Sequence, residues 1–255
     1  MGKTKITDEK QKIIAISKVF ARAKTSMTLP EQKTFAYALA QIRYSENNQS
    51  NIISMNKKAL AKILGINSDI DHLSHDIYRA IKDITSHSHV EFKGDDGVGF
   101  KNSFIIYDVD VRKVGVVELR IHEEFMSLFT GLRKNYITLW TTDIYNMHSE
   151  KSVLFYENLR YRTYSEGENS VVLSDSELKT IFRLEQNAYN ESTGKFNRNK
   201  FEKRVIDPVC QDLSKSKMIT ITKQSNGQFY EKVKKGKRVE GYRFTWVYTK
   251  NPLIE

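Results

Sequence analysis

This sequence of 255 residues lacks the features that mark secreted and membrane-spanning proteins. It contains a single cysteine, Cys210, so it forms no internal disulfide and suits a reducing compartment. Nowhere do about 18 apolar residues follow one another, which excludes a typical transmembrane helix. The polar residues 1–12 also lack the apolar stretch of a signal peptide. We therefore expect a cytoplasmic protein with no membrane partner.

The common catalytic motifs are absent as well. The sequence contains no GxxxxGKS/T phosphate-binding loop, no GxGxxG dinucleotide fingerprint and no GxSxG nucleophile elbow. The histidine pairs His72/His75 and His87/His89 have no cysteine nearby, and their spacing matches no closed zinc site. We therefore expect no enzymatic activity, no metal and no cofactor.

What the sequence has in excess is positive charge, and most of this excess is local. The net charge is +10, from 41 lysines and arginines against 31 aspartates and glutamates. Residues 195–240 hold 13 basic and 5 acidic residues, a balance of +8, whereas the rest of the chain holds 28 and 26, a balance of +2. Such a concentration is typical of a surface that binds a polyanion, and no long apolar helical face accompanies it. We therefore expect a nucleic acid as the partner.

The two halves of the sequence repeat one another. Residues 149–162 align with residues 30–43, and residues 170–182 align with residues 52–64. In the second alignment Asn56 and Ser174 both stand where a helix N-cap is expected. The loop between residues 183 and 195 makes the second copy about ten residues longer in this region. Each copy predicts the same order of elements.

That order is a helix, a strand, two further helices and a β-hairpin. In the first copy we predict helices over residues 28–43, 56–64 and 68–84 and strands over residues 51–55, 88–93, 98–109 and 114–121, with turns at GDDG and RKVG. In the second copy the final strands span residues 217–224, 228–233 and 239–248, with turns at Asn226-Gly227 and Lys235-Gly236. The pattern predicts an α+β fold of two tandem winged-helix domains related by an internal repeat. We place them at residues 1–133 and 134–255, joined through a short helix that ends at Gly131.

The third helix of the second copy is the best candidate for reading DNA bases. Its apolar stripe, Phe201, Val205, Val209 and Leu213, predicts which face is buried. Polar and basic residues crowd its first turns, where a helix in the major groove meets base edges: Arg198, Asn199, Lys200, Lys203 and Arg204. Pro208 lacks an N–H, so we expect it to kink or interrupt the helix after Asp207.

The hairpin that follows this helix is a second candidate site. It carries five like charges around Gly236, namely Lys232, Lys234, Lys235, Lys237 and Arg238. Such a cluster needs counterions or a phosphate backbone, and a winged helix lays its wing hairpin along that backbone. The corresponding third helix of the first copy has four aspartates and only Arg79 and Lys82 as cations between residues 66 and 85. We expect weaker DNA contacts there, through these two residues, or a protein–protein surface.

Taken together, the sequence resembles the iteron-binding plasmid replication initiators, the Rep proteins. The resemblance runs from about residue 13 to residue 247 and rests on TLPEQKTFAYAL, YITLWTTDIYNMHSEKSVLFYENLRYR, RVIDPVCQDL and KKGKRVEGYRFTW. It implies a bacterial protein that binds directly repeated origin sites (iterons) in double-stranded DNA, promotes origin melting and recruits the host replication initiator and helicase. It also implies that monomers initiate replication and that homodimers, joined through the N-terminal domain, repress their own gene. The resemblance therefore implies that residues 198–204 contact bases in the major groove and that residues 232–238 form the wing.

Two other functions remain open at this point. A winged-helix transcriptional repressor without initiator activity would show the same fold and the same basic surface. A metal-dependent, origin-nicking initiator is the other alternative, because His87-Ser88-His89 resembles the His-hydrophobic-His motif of rolling-circle nicking enzymes, with serine in the middle.

Overall fold

The computed structural model describes residues 13–21, 25–43, 45–47, 49–93 and 100–250 of the chain. The chain divides into two compact units, Met1–Tyr145 and Asn146–Glu255. Both units combine helices with antiparallel strands, which confirms the predicted α+β class. No helix among these described residues has the length and apolar character needed to cross a membrane.

The first unit alternates helices with short strands. Its described elements are β1 (Ile13–Ser17), α1 (Lys18–Ala21), α2 (Leu29–Leu39), β2 (Ile52–Asn56), α3 (Lys57–Leu64), α4 (Ile70–Ile81), α5 (Ile84–His87), β3 (His89–Lys93), β4 (Phe100–Phe104), β5 (Ile106–Asp110), β6 (Val116–Ile121), a 3-10 helix (Glu123–Leu128), β7 (Tyr136–Trp140) and α6 (Thr141–Tyr145).

The second unit is shorter and repeats the middle of the first. Its described elements are α7 (Glu150–Glu166), β8 (Ser170–Ser174), α8 (Asp175–Ile181), α9 (Arg198–Phe201), a π-helical turn (Glu202–Ile206), α10 (Asp207–Leu213), β9 (Ile219–Ile221), β10 (Tyr230–Lys235) and β11 (Arg238–Tyr248).

The two units have the same sheet topology. In the first unit β6 lies between β2 and β5, and in the second β11 lies between β8 and β10. All of these neighbours pair antiparallel. In each unit the strand after the first long helix is therefore a sheet edge, and two later strands, β5 and β6 or β10 and β11, form a hairpin. The internal repeat predicted from the sequence is confirmed at the level of topology.

The predicted helix starts rest on side-chain caps that the structure contains. Asn56 accepts a hydrogen bond from the backbone N–H of Ala59 at 2.9 Å, and Ser174 accepts one from Glu177 at 3.2 Å. Gly65 ends α3 with φ at 72°, the left-handed conformation that glycine adopts without a steric cost. These local signals predict the bounds of α3 and the start of α8 to within about a residue.

Two predicted elements of the first unit are divided in the structure. The helix predicted over residues 68–84 consists of α4 and α5. The strand predicted over residues 98–109 consists of β4 and β5, because the chain passes from one sheet to another at the buried Ile105 and Ile106. The buried Ser88 holds this crossing, since its hydroxyl accepts the Ile106 N–H at 3.0 Å. The predicted GDDG turn and residues 98 and 99 lie outside the described residues.

The boundary between the units lies twelve residues beyond the expected one at 133/134. The reason is β1, which the sequence did not predict. It pairs antiparallel with β7 from Ile13↔Trp140 to Ser17↔Tyr136, and so ties residues 136–140 to the first unit. The short helix expected before Gly131 is the 3-10 helix Glu123–Leu128.

Each unit is packed around its own aromatic residues. In the first unit Phe20, Phe35 and Phe129 form three edge-to-face pairs with ring centroids 5.0–5.8 Å apart. In the second unit Phe155 packs on Phe244 at 5.0 Å, and Trp246 donates its indole N–H to Thr163 Oγ1 at 2.8 Å. Strand β11 is therefore anchored to α7 through Phe244 and Trp246.

Candidate nucleic-acid interface

The third helical region of the second unit is one continuous run formed by α9, the π-helical turn and α10. It starts at Asn197, whose side-chain oxygen accepts the backbone N–H of Lys200 at 3.0 Å. The predicted apolar stripe is buried along its whole length, with Phe201, Val205, Val209 and Leu213 at most 1% exposed. The opposite face is thereby turned to solvent. We call residues 198–213 the reading helix.

Pro208 interrupts this helix in a different way from the one expected. The helix does not end after Asp207 but continues to Leu213. A proline ring clashes with the carbonyl four residues earlier in an α-helix, here that of Arg204. The π-helical turn widens the backbone at this place, and the Asp207 N–H bonds to the Glu202 carbonyl five residues back. The π-helical turn, which carries Lys203 and Arg204, thus accommodates the proline ring without ending the helix.

Four of the five predicted base-reading residues lie free on the solvent face. Asn199, Lys200, Lys203 and Arg204 are exposed. Within the described part of the chain, none of the three cations among them pairs with a carboxylate. Their charges are therefore available to base edges or phosphates.

Arg198 has a different environment. Its guanidinium pairs with the carboxylate of Asp175, the first residue of α8, and donates to the carbonyl of Val239 in β11 at 3.1 Å. Its side chain is 28% exposed. It therefore joins the start of the reading helix to α8 and to the hairpin, and one terminal nitrogen of its guanidinium makes both contacts.

The basic hairpin is formed by β10 and β11, and we call residues 230–248 the wing. Its turn is closed by Gly236 at φ 60°, and a β-bulge between Val233 and Lys234 shifts the register just before the tip. The side chains at the tip are exposed, namely Lys234, Lys235, Lys237 and Arg238. None of these four pairs with a carboxylate among the described residues. Their mutual repulsion favours a partner that supplies negative charge.

Lys232 lies farther from the wing tip, and its side chain forms an ion pair. Its ammonium is 2.7 Å from the carboxylate of Glu202 on the reading helix. The hydroxyl of Tyr242, opposite Lys232 on β11, donates to the other Glu202 oxygen at 2.9 Å. Burial and the nearby Glu202 charge both raise the pKa of Tyr242, which keeps its hydroxyl protonated as a donor.

The corresponding helix of the first unit, α4, offers less positive charge. Arg79 is exposed but pairs with Asp76 at 3.2 Å, one turn earlier on α4. Lys82 is exposed at the C-cap of α4. Both cations predicted from the sequence are therefore exposed to solvent, but the charge of Arg79 is partly neutralised by Asp76.

The tip of the first unit's hairpin, residues 111–115 between β5 and β6, is not among the sites predicted from the sequence. This tip is the topological equivalent of the wing tip. Arg112 bonds to Asp110 through both its backbone and its side chain, and these bonds lower the pKa of Asp110 to about 2. Lys113 pairs with Glu118, while Val114 is 99% exposed. The repeat alignment, extended to the RKVG turn, would have identified this tip.

His87 and His89 contact other side chains and not each other. His87 Nδ1 lies 2.9 Å from Glu31, whose carboxylate also accepts the Thr28 N–H at the start of α2. The ring of His89 packs edge-on against Phe104. The described residues contain no group of three or more His, Cys, Asp or Glu side chains suited to a metal ion.

A basic third helix beside a basic hairpin, on an antiparallel sheet, is the arrangement of a winged-helix DNA-binding domain. The second unit has this arrangement, and the first unit repeats the order of its helices and its three central strands. The chain belongs to the family of initiator replication (Rep) proteins. The family model described as "Initiator Replication protein, WH1" matches residues 13–160, and the one described as "Initiator Rep protein, WH2" matches residues 176–246.

One solved structure supports this fold, and two others align less well. The Pi initiator protein in complex with iteron DNA aligns at a TM-score of 0.66 and 17% identity, over 95% of this chain and 99% of that one. SeMet derivatives of domains 2 and 3 of RctB align at 0.47 and 13% identity, over 89% of this chain and 85% of that one. A second structure of RctB domains 2-3 aligns at 0.42 and 12%, over 88% and 84%. No curated protein matches the chain.

Proposed function

We propose that this protein is a plasmid replication initiator that binds directly repeated origin sites in double-stranded DNA. One observation carries the proposal: the unpaired cations of the reading helix and those of the wing tip occur in the same unit. Its support is the family membership, together with the binding of iteron DNA by the similar Pi initiator protein. No catalytic step is part of this function.

The two groups of cations have different roles in this proposal. Asn199, Lys203 and Arg204 contact base edges, since asparagine pairs with adenine and arginine with guanine in the major groove. The wing-tip cations contact phosphates, which position the protein without reading sequence. Arg79 and Lys82 of the first unit add weaker backbone contacts, because Arg79 is already paired with Asp76.

Several partners follow from the proposed function. A homodimer formed through the first unit would repress the protein's own gene, and the monomer would initiate. Bound to the origin of a bacterial plasmid in the cytoplasm, the protein would help to melt the adjacent duplex and recruit the host initiator and helicase.

The proposal is tested by selecting binding sites for the purified protein from random-sequence duplex DNA. We expect one enriched motif, and a footprint of about 20 bp because two winged helices in successive major grooves need two turns. The protein supplied in trans should then maintain a plasmid that carries direct repeats of this motif and lacks its own initiator. A transcriptional repressor would bind the motif and fail to maintain the plasmid.

The same DNA separates an initiator from a nicking enzyme. Supercoiled plasmid with the selected repeats should stay intact after incubation with the protein and Mg²⁺ or Mn²⁺. Nicked circles would contradict the non-catalytic role, and a footprint of about 10 bp would contradict binding by both units.

A further inference from the structure

The wing and the reading helix are joined by a buried carboxylate in a surface that must face DNA. Glu202 is 7% exposed, although it lies between the exposed cations Lys200 and Lys203. A buried negative charge beside a phosphate-binding surface weakens DNA binding unless cations of the protein neutralise it. Its position therefore needs an explanation within the second unit.

The contacts of Glu202 provide that explanation. Lys232 and Tyr242 are direct cross-strand partners on β10 and β11. Each binds a different oxygen of the Glu202 carboxylate, at 2.7 Å and 2.9 Å. One side chain of the reading helix thus holds both strands of the wing at the same level.

The π-helical turn adds a second attachment. It closes its hydrogen bond over five residues, which brings Glu202 and Asp207 closer to one side of the helix than an α-helix would. Asp207 accepts the hydroxyl of Tyr230, the first residue of β10, at 3.1 Å. The turn that accommodates Pro208 therefore also directs two carboxylates toward the wing.

We infer that Glu202 is a positioning residue that locks the wing to the reading helix, and that Lys232 serves this lock and contacts no phosphate. The inference rests on the proposed DNA-binding function and refines it. Of the five basic residues predicted for the wing, only the four at its tip then contribute to the electrostatic part of binding. Sequence reading and phosphate binding are coupled, because the same carboxylate fixes the position of both elements.

The number of phosphate contacts is measurable from the salt dependence of binding. The slope of log K against log salt changes by about 0.9 for each phosphate contact on B-form DNA. The probes are a duplex carrying the motif that the wild-type protein selects from random DNA, and a shuffled duplex of the same composition. Affinities for both are measured over a range of salt concentrations for each variant.

The variants separate a lock from a phosphate contact. Lys234→Gln, at the wing tip, should flatten the slope by about 0.9, whereas Lys232→Gln should leave it unchanged. Glu202→Gln should steepen the slope by up to about 0.9, because the released Lys232 ammonium becomes available to a phosphate. It should also reduce the preference for the selected duplex over the shuffled one, because the wing is no longer fixed. In the double variant Glu202→Gln/Lys232→Gln the slope should return to the wild-type value.

A Lys232→Gln slope as flat as that of Lys234→Gln would overturn the inference, since Lys232 would then contact phosphate in the complex. Equal slopes for wild type and Glu202→Gln would overturn it as well. If Glu202→Gln fails to fold, as judged by thermal unfolding, Glu202→Asp replaces it: this variant keeps the charge and should keep the wild-type slope. If the wild-type protein selects no motif, the proposed function fails, while the slopes on shuffled duplex still test the lock.

Discussion

Lys57 and Asp175 occupy the same position in the two repeated units, with opposite charges. Each is the first residue of the helix after the edge strand, α3 or α8. Lys57 is 6% exposed and donates at 2.8 Å to Ser74 of α4 and to the carbonyls of Val111 and Lys113 in the hairpin tip. Asp175 instead binds Arg198, which in turn donates to the Val239 carbonyl. Both units thus connect third helix and hairpin through this position.

Replacing Lys57 should destabilise the first unit. Lys57→Met removes three hydrogen bonds and leaves two carbonyls of the hairpin tip without this donor, so the free energy of unfolding should fall by about 2–4 kcal/mol. Chemical denaturation followed by circular dichroism measures it. The matched control is the exposed neighbour Lys58→Met, expected within about 0.5 kcal/mol of wild type. Equal losses for both variants would show that the buried ammonium contributes nothing particular.

Arg198 and Arg204 should behave differently although both lie in the reading helix. Arg198→Ala leaves the half-buried Asp175 without its cation, so the second unit should lose about 1–3 kcal/mol of stability. Arg204→Ala should leave stability within about 0.5 kcal/mol of wild type but lose about 1–3 kcal/mol of discrimination at one base pair of the selected motif. Thermal unfolding and competition binding against single-base variants of the motif measure the two effects. Loss of discrimination at one base pair in a stable Arg198→Ala protein would return Arg198 to the base-reading residues.

The close pairing of β8 and β11 requires glycine at position 241. A Cβ there would lie 2.7 Å from the carbonyl oxygen of Leu173, a backbone atom that cannot move without opening the sheet. Gly241→Ala should therefore cost about 1–3 kcal/mol of stability in the second unit. The control is Gly236→Asn at the wing tip, where no atom lies nearby and asparagine tolerates the positive φ. A Gly241→Ala protein as stable as this control would contradict the crowding argument.

Much of the fold could be predicted because its signals are local. The cap at Asn56, the stop at Gly65 and the turn at Gly236 each act within a few residues. The pairing of β1 with β7 could not be predicted, because it joins distant segments through backbone hydrogen bonds that leave no sequence pattern. The boundary between the units differs from the expected one for the same reason, because the pairing with β1 places β7 in the first unit.

The candidate site was predicted by residue type, but the state of two of its cations was not. Nothing in the sequence shows that Arg198 pairs with Asp175 and Lys232 with Glu202, because those contacts depend on tertiary packing. The π-helical turn did leave a signal. The buried stripe Phe201, Val205, Val209 and Leu213 recurs every four residues, whereas an α-helix repeats every 3.6 residues and would gradually rotate residues at this spacing away from one side.

The stability of the second unit should depend on pH through Glu157 of α7. Burial raises the pKa of this carboxyl to about 7, although the charge of Arg183 acts in the opposite direction. Its value in the unfolded chain is about 4.3, so the folded unit favours the protonated form. The resulting stabilisation is complete below about pH 4 and is lost as the pH rises through 7.

Glu157→Gln keeps the neutral form at every pH and isolates this effect. The variant should match wild type near pH 4 and exceed it by about 3–4 kcal/mol near pH 8 in the free energy of unfolding. Denaturation curves of both proteins across this range give the difference directly. Glu185→Gln, at an exposed position of the same unit, is the control for the loss of a carboxyl group from the surface. Because other carboxyl groups titrate alike in wild type and variant, a Glu157→Gln difference that stays constant from pH 5 to pH 8 would mean that Glu157 is ionised in the folded unit throughout.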